Sequence, residues 1–163
     1  MGAVKFYQLG QTALEDAVRP LLEGALAQGW PVSLRGPDRA ALALLDERLW
    51  LSPANGFLPH GVEGGPHDAR QPVLIGAGAA SGAPMATPTP ANDPRAVLLL
   101  GGAQVDPDES RRMERVWLLF EARDPAQLEA ARAEWRAVCA AGLVAEFWSD
   151  ASGRWEKKAQ SGS

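Results

Sequence analysis

The stretch RAVLLLGG, residues 95–102, decides the fold class, because its apolar core offers no polar side chain for a solvent-facing side. An uninterrupted apolar strand is buried on both faces, which is typical of a parallel sheet covered by helices on either side. PVLIG (72–76) has the same character. The sequence therefore predicts at least two central strands of this kind.

Four further strands are predicted outward from these two. They are apolar or aromatic runs bounded by glycine, proline or polar residues, which is the usual strand signature. These runs are AVKFYQL (3–9), WPVSL (30–34), RVWLLFEA (115–122) and LVAEFW (143–148).

Helices are predicted between the strands. Thr12 stands three residues before Glu15, the spacing of a capping box. Pro20 then either kinks this first helix or places its true start near Arg19. Asp38 is a candidate cap for a second helix.

Two more helices are predicted in the second half of the chain. A short one lies within DPDESRRMER (106–115). A longer one starts at Asp124 and Pro125, a cap followed by a first-turn proline, and stops at Gly142. Strands that alternate with helices indicate an α/β fold of three layers with a mostly parallel sheet.

The chain is predicted to form a single domain over residues 1–163. Residues 77–94 are rich in Ala, Gly, Pro and Thr, so we interpret them as a flexible loop. Residues 151–163 are interpreted as a polar C-terminal tail.

Composition limits the functional classes. The formal net charge of −4 and the pI near 5.2 disfavour coating of nucleic acid through its phosphates. Cys139 is the only cysteine of the 163 residues, which fits a reducing compartment. No apolar run is long enough to span a bilayer, and we expect a cytoplasmic protein.

Catalytic and cofactor motifs have little support. GAGAASG (76–82) imitates a dinucleotide fingerprint, but the prolines that follow oppose the helix that such a site needs. His60 and His67 do not complete a zinc-ligand pattern, even with Asp68 and Cys139. We therefore expect no cofactor, no metal and no enzymatic activity.

The last predicted helix places Arg132, Trp135 and Arg136 on one face, at positions i, i+3 and i+4. Glu129 can pair with Arg132, whereas Arg136 has no acid one turn away. An arginine without a local acid beside a tryptophan suits an incoming carboxylate and an aromatic ring. On helix physics alone, a solvated face with Trp135 turned into the core is the stronger interpretation.

LDERLWLSPANGFLPHG (45–61) begins as a helix and ends as a loop broken by proline and glycine. The loop region still carries two large aromatic residues and an imidazole, namely Trp50, Phe57 and His60. Core packing, catalysis and docking of a partner all remain open for them on the residues alone.

Several segments together resemble the chi subunit of bacterial DNA polymerase III. The resemblance runs in order along nearly the whole chain, and LW…FLPHG and the AARAEW helix are its most specific parts. The segments are FYQL, LDERLW, FLPHG, QPV, LLLGGAQV, RVWLLFEARDP, AARAEWRAVCAAG and FWSDASGRWEKKA.

The resemblance implies a non-catalytic accessory subunit of the clamp-loader assembly, monomeric by itself. Such subunits bind the acidic C-terminal tail of single-stranded-DNA-binding protein and a small partner, psi, that connects them to the clamp loader. Contact with DNA would then be indirect. The residues that it implies for the tail site are Trp50, Phe57, Arg132, Trp135 and Arg136.

Two other functional classes remain. A direct single-stranded-DNA binder would need a basic groove with stacking aromatic residues, for which Trp155 in the tail is a candidate. A nucleotide-dependent enzyme on the same fold would need a phosphate loop, and the sequence contains no such motif.

Overall fold

A computed structural model describes residues 3–51, 60–83 and 90–162, without the side chain of Leu51. The predicted Phe57 contact lies outside the described residues. The helices and strands, in chain order, are β1 (Val4–Leu9), α1 (Leu14–Ala27), β2 (Val32–Gly36), α2 (Arg39–Leu51), β3 (Gly61–Val62), a 3₁₀ turn (Asp68–Arg70), β4 (Val73–Ala77), β5 (Ala96–Leu100), α3 (Pro107–Arg112), β6 (Arg115–Glu121), α4 (Pro125–Ala140), β7 (Ala145–Ser149) and β8 (Glu156–Ser161).

These strands form one sheet in the order β3-β4-β2-β5-β6-β1-β7-β8. Every neighbouring pair is parallel except β7 and β8, which are antiparallel. All five residues of β2 and of β5 are buried. The predicted three-layer α/β fold with a mostly parallel sheet is therefore confirmed.

The two faces of the sheet carry separate cores. Along β6, Trp117 and Leu119 join a cluster that contains the buried residues of α1 and α2. Their neighbours Leu118 and Phe120 join a second cluster that contains Ala131 and Val138 of α4. Because successive strand residues point to opposite faces, α1 and α2 cover one face and α4 covers the other.

The helix starts at Asp38 and Asp124 are confirmed. Asp38 Oδ1 accepts hydrogen bonds from the backbone N–H groups of Ala40 and Ala41, at 3.0 and 3.2 Å. Asp124 caps α4 in the same way, with Pro125 in the first turn. At the other end of α4, Gly142 adopts φ +79°, a conformation that glycine takes at little cost.

The capping box predicted for α1 is wrong. The helix begins at Leu14 after Ala13, which supplies no side-chain cap. The alternative start near Arg19 is also wrong, because α1 continues through Pro20. Glu15 instead lies 3.3 Å from the guanidinium of Arg48 on α2.

The Asp150 carboxylate holds the loop between β1 and α1. It accepts hydrogen bonds from the backbone N–H groups of Gly10, Gln11 and Thr12, at 2.6 to 3.2 Å. Burial alone would raise the pKa of Asp150, but the hydrogen bonds from Thr12, Gly10 and Gln11 outweigh it and lower that pKa. The end of β7 is thereby tied to the end of β1.

Two strands were missed from the sequence. β3 is only two residues long and lies within the stretch assigned to a loop. β8 lies within the predicted polar tail. Its residues are mostly exposed and polar, so its sequence lacks the alternation of apolar and polar residues that marks a strand. The described parts of 77–94 also make contacts, since buried Asn92 donates to the carbonyls of Val32 and Gln71.

Replacing Asp150 with Asn is expected to destabilise the fold by about 1–3 kcal/mol, because the amide NH₂ group would face backbone donors. The lowered pKa of Asp150 means that its contribution is present above about pH 4 and disappears as the pH falls through the folded-state pKa. Urea denaturation at pH 7 and in acid measures both effects.

Asp38→Asn is the matched control, since Asn caps a helix about as well as Asp. Equal losses of stability in the two variants would contradict the role given to Asp150.

Candidate functional site

A buried glutamate ties helix α4 to the segments that follow β4 and β5. Glu134 accepts hydrogen bonds from the Ser81 hydroxyl at 2.6 Å and from the Val105 backbone N–H at 2.7 Å. A buried carboxylate with two donors is satisfied, whereas losing them would leave a costly charge. Together with Ala131 and Val138, which are buried beneath the helix, this residue fixes which side of α4 faces outward.

A cavity of about 270 Å³ lies between α4 and the edges of β1, β6 and β7. Its size is slightly below that of typical small-molecule sites, which span roughly 300–1,000 Å³. The space suits one or two side chains of a partner better than a whole nucleotide. Its lining residues are Phe6, Gln8, Phe120, Leu128, Ala131, Arg132, Trp135, Arg136 and Phe147.

The apolar wall of the cavity is an interlocked set of aromatic rings. The Trp135 ring packs edge-on against Phe6, with centroids 5.2 Å apart, and against Phe147 at 6.4 Å. Phe147 in turn lies 6.3 Å from Phe120. Edge-to-face contacts of this kind hold rings in fixed positions, so the cavity is preformed. Trp135 therefore belongs to the core margin and to the cavity at once.

The polar rim of the cavity carries two exposed guanidinium groups. Arg132 lies 3.9 Å from Glu129, a loose pair between side chains that are both more than 60% exposed. Such a pair contributes little and leaves Arg132 available. Arg136 forms no ion pair with any carboxylate of the described residues. The rim is thus suited to a carboxylate whose neighbouring side chain enters the aromatic cavity.

Trp50 lies apart from this cavity. It is near the end of α2, in the helical layer on the opposite face of the sheet, and its side chain is 49% exposed. Its ring centroid lies 4.1 Å from that of His60. The structure brings Arg132, Trp135 and Arg136 together, but it does not place Trp50 with them.

His60 is buried and contacts helix α2. Its Nε2 lies 3.3 Å from the Asp46 carboxylate and 3.4 Å from the Asp46 carbonyl oxygen. The imidazole thus joins the chain after the α2 loop to the helix itself.

The chain was compared with protein-family models and with curated proteins. The family model described as "DNA polymerase III chi subunit, HolC" matches residues 1–146. The chain belongs to this chi-subunit family. The comparison with curated proteins gives no significant match. Members of this family are accessory subunits of DNA polymerase III. This chi-family chain therefore belongs to the machinery of DNA replication.

Among the described residues, no three His, Cys, Asp or Glu side chains converge as metal ligands. Residues 76–83 end a strand and form a bridge and a turn, without the start of a helix. None of the helices in the described ranges is both long and apolar enough to cross a membrane.

A buried ion pair in this chi-family chain joins the sheet to helix α3. Arg35 Nη2 on β2 lies 2.7 Å from Glu109 Oε1 on α3. Burial raises the pKa of Glu109, and Arg35 opposes that change. The pair connects the sheet to α3 and lies among residues that do not line the aromatic cavity.

Most of the apolar lining of the cavity is not evident from the sequence. Phe6, Phe120 and Phe147 belong to three strands that are far apart in the chain and adjacent in the sheet. Each is the large aromatic residue on the face of its strand that α4 covers. Alternation along each strand could have indicated these residues, but only the strand order shows that they meet.

Glu134→Ala is expected to lower the free energy of unfolding by about 1–3 kcal/mol, because the Val105 N–H would lose its acceptor in a buried site. Hydrogen exchange at Val105 should accelerate at the same time. Chemical denaturation and amide exchange measured by mass spectrometry report the two effects.

Glu129→Ala removes an exposed carboxylate from the same helix and serves as the control, with an expected change within about 0.5 kcal/mol. Unchanged exchange at Val105 in Glu134→Ala would contradict the anchoring role.

Proposed function

We propose that this chi-family subunit binds the acidic C-terminal tail of single-stranded-DNA-binding protein and connects it to the clamp loader, without catalysing a reaction itself. The observation that carries the proposal is the cavity beneath α4. It combines an aromatic wall with two exposed arginines, and Arg136 has no ion-pair partner among the described residues.

The chemistry of that tail matches the cavity. A terminal aromatic residue offers one ring and one free carboxylate on the same residue. The ring would enter between Trp135 and the phenylalanines of the sheet, and the carboxylate would lie at Arg132 and Arg136. Guanidinium groups pair with carboxylates through two parallel hydrogen bonds, which fixes the orientation of the end group.

Charge explains how an acidic chain can serve this role. The formal net charge is −4, yet the rim of the cavity is locally positive. The remaining acidic residues of the peptide would be attracted to this local positive field. Recognition that depends on such exposed charges weakens as salt increases.

A linking subunit needs two contact surfaces that can be occupied together. The exposed ring of Trp50 lies in the other helical layer, so a partner there would not obstruct the α4 cavity. We assign Trp50 to the contact with psi, the partner on the side of the clamp loader. This assignment separates Trp50 from the tail site for which it was first considered.

The first test is a titration with an acidic peptide that ends in a free phenylalanine carboxylate. We expect micromolar binding that weakens with salt, and Arg132→Ala or Arg136→Ala should weaken it by roughly 10- to 100-fold. This range corresponds to about 1.5–3 kcal/mol for one charged hydrogen-bonded contact. Isothermal titration calorimetry measures the affinity.

Two controls isolate the end-group recognition. Arg39→Ala removes an exposed arginine from α2 and should leave the affinity unchanged. Amidation of the peptide C-terminus should lower the affinity by a factor similar to that of the arginine substitutions. Unchanged affinity in both Arg132→Ala and Arg136→Ala would refute the site.

The second test separates the two surfaces. Trp50→Ala should abolish or strongly weaken co-purification with psi, because a large exposed aromatic ring is a typical interface anchor. Its affinity for the acidic peptide should remain within about twofold of that of the unmodified chain. Loss of peptide binding with retained psi binding would reverse the assignment.

A further inference from the structure

A second exposed feature lies on the sheet face that α1 and α2 only partly cover. These helices pack over β2 and β4, and neither packs extensively on β7 or β8. Tyr7 on β1 pairs in register with Trp148 on β7, which pairs with Lys157 on β8. Side chains paired in this way share one face of the sheet, so the three form a row across it.

Aromatic rings run along this row. The Tyr7 and Trp148 rings are stacked, with centroids 6.0 Å apart and planes at 26°. Tyr7 also lies 4.8 Å from Trp155, which precedes β8. All three side chains are half-buried, and the Trp148 indole N–H donates to Glu146 at 3.0 Å. The rings are therefore fixed in place while part of each stays accessible.

Cations accompany these rings. Lys5 Nζ lies 5.7 Å from the centre of the Trp148 ring, and Arg115 and Lys157 are close enough to influence it. Burial lowers the pKa of Lys5, and repulsion from Arg115 and Lys157 lowers it further, against the attraction of Glu146. Lys5, Arg115 and Lys157 thus bring three positive charges to this part of the face, and Glu146, 3.9 Å from Lys5 Nζ, offsets them only in part. An anionic ligand would neutralise the remaining positive charge.

We propose that this face, formed by Lys5, Tyr7, Arg115, Trp148, Trp155 and Lys157, binds single-stranded nucleic acid. Phosphates would lie at the three cations, and unpaired bases would stack against the exposed parts of the aromatic rings, which is how proteins hold single strands without reading their sequence. The surface is extended and flat, unlike the enclosed cavity for a peptide end under α4.

The proposal is independent of the tail site because the two lie on opposite faces of the sheet. Lys5 and Tyr7 face the open side, whereas Phe6 between them lines the α4 cavity. Since the whole chain is acidic, the interaction would be local, weak and sensitive to salt. Its affinity should fall within the range of non-specific binding, with a Kd of roughly 10⁻⁴ to 10⁻⁶ M.

Fluorescence anisotropy of a labelled 20-nucleotide oligo-dT with the full chain tests the proposal. We expect binding at about 50 mM salt that weakens several-fold at about 200 mM. Lys157→Glu should weaken binding by roughly tenfold at low salt, the effect of losing one phosphate contact. Trp148→Leu should weaken binding at least severalfold by removing a stacking ring.

Matched controls separate local binding from a general charge effect. Arg39→Glu makes the same charge change on exposed α2 and should leave oligo-dT affinity within about twofold. Arg132→Ala should also leave oligo-dT binding unchanged, while Lys157→Glu leaves the acidic peptide of the tail test unaffected. Circular dichroism and thermal unfolding establish that each variant is folded.

Several results would overturn the proposal. One is the absence of oligo-dT binding at low salt, and another is an equal loss of affinity in Lys157→Glu and Arg39→Glu. Tighter binding of a duplex of the same length would exclude base stacking as the basis of recognition. Loss of an acidic protein partner in Lys157→Glu, with oligo-dT affinity retained, would assign the face to that partner instead.

Discussion

The burial of the central parallel strands on both faces is the constraint on which the rest of this structure depends. β2 and β5 expose no residue on either side, so apolar side chains must be covered above and below the sheet. Helices α1 and α2 meet this demand on one face. On the other face, α4 packs in one cluster with Val97 and Leu99 of β5, while Arg35 of β2 pairs with Glu109 of α3. The sheet separates the two helical layers, and they share a cavity only at the carboxyl ends of the strands, where Leu14 of α1, Ala41 of α2 and Gln127 of α4 line the same space among the described residues.

Both proposed binding surfaces lie where this coverage by helices becomes incomplete. On one face, the large rings of Phe6, Phe120 and Phe147 support α4 but leave a cavity beside Trp135. On the other face, the strands β7 and β8 extend the sheet beyond the reach of α1 and α2. Aromatic residues line both places. Cations next to these rings then favour anionic partners in both cases.

Local signals in the sequence predicted much of this architecture. The apolar run at 95–102 indicated a buried strand, and the Asp–Pro pair at 124–125 located the start of α4. The cationic face of α4 followed from helical spacing alone. Long-range hydrogen bonds were not predictable in this way: the carboxylate that holds residues 10–12 comes from Asp150, about 140 positions later. β8 was missed for a related reason, since an exposed edge strand such as EKKAQS lacks the apolar alternation that marks a strand. The separation of Trp50 from α4 depends on strand order, which no local pattern contains.

The central position of β1 bears on how the two surfaces would work together. Phe6 faces the α4 cavity, and its neighbours Lys5 and Tyr7 face the open row of aromatic rings. β1 is hydrogen-bonded to β6 on one side and to β7 on the other, so it is one of the most constrained elements of the fold. A ligand can couple two sites only by favouring one of two arrangements of the element between them. Shifting a strand that is hydrogen-bonded on both edges would break its pairing with a neighbour. A second arrangement of β1 would therefore cost much free energy. A peptide end in the cavity and a nucleic-acid strand on the open face should therefore bind without helping or hindering each other, which suits a subunit that holds two partners at once.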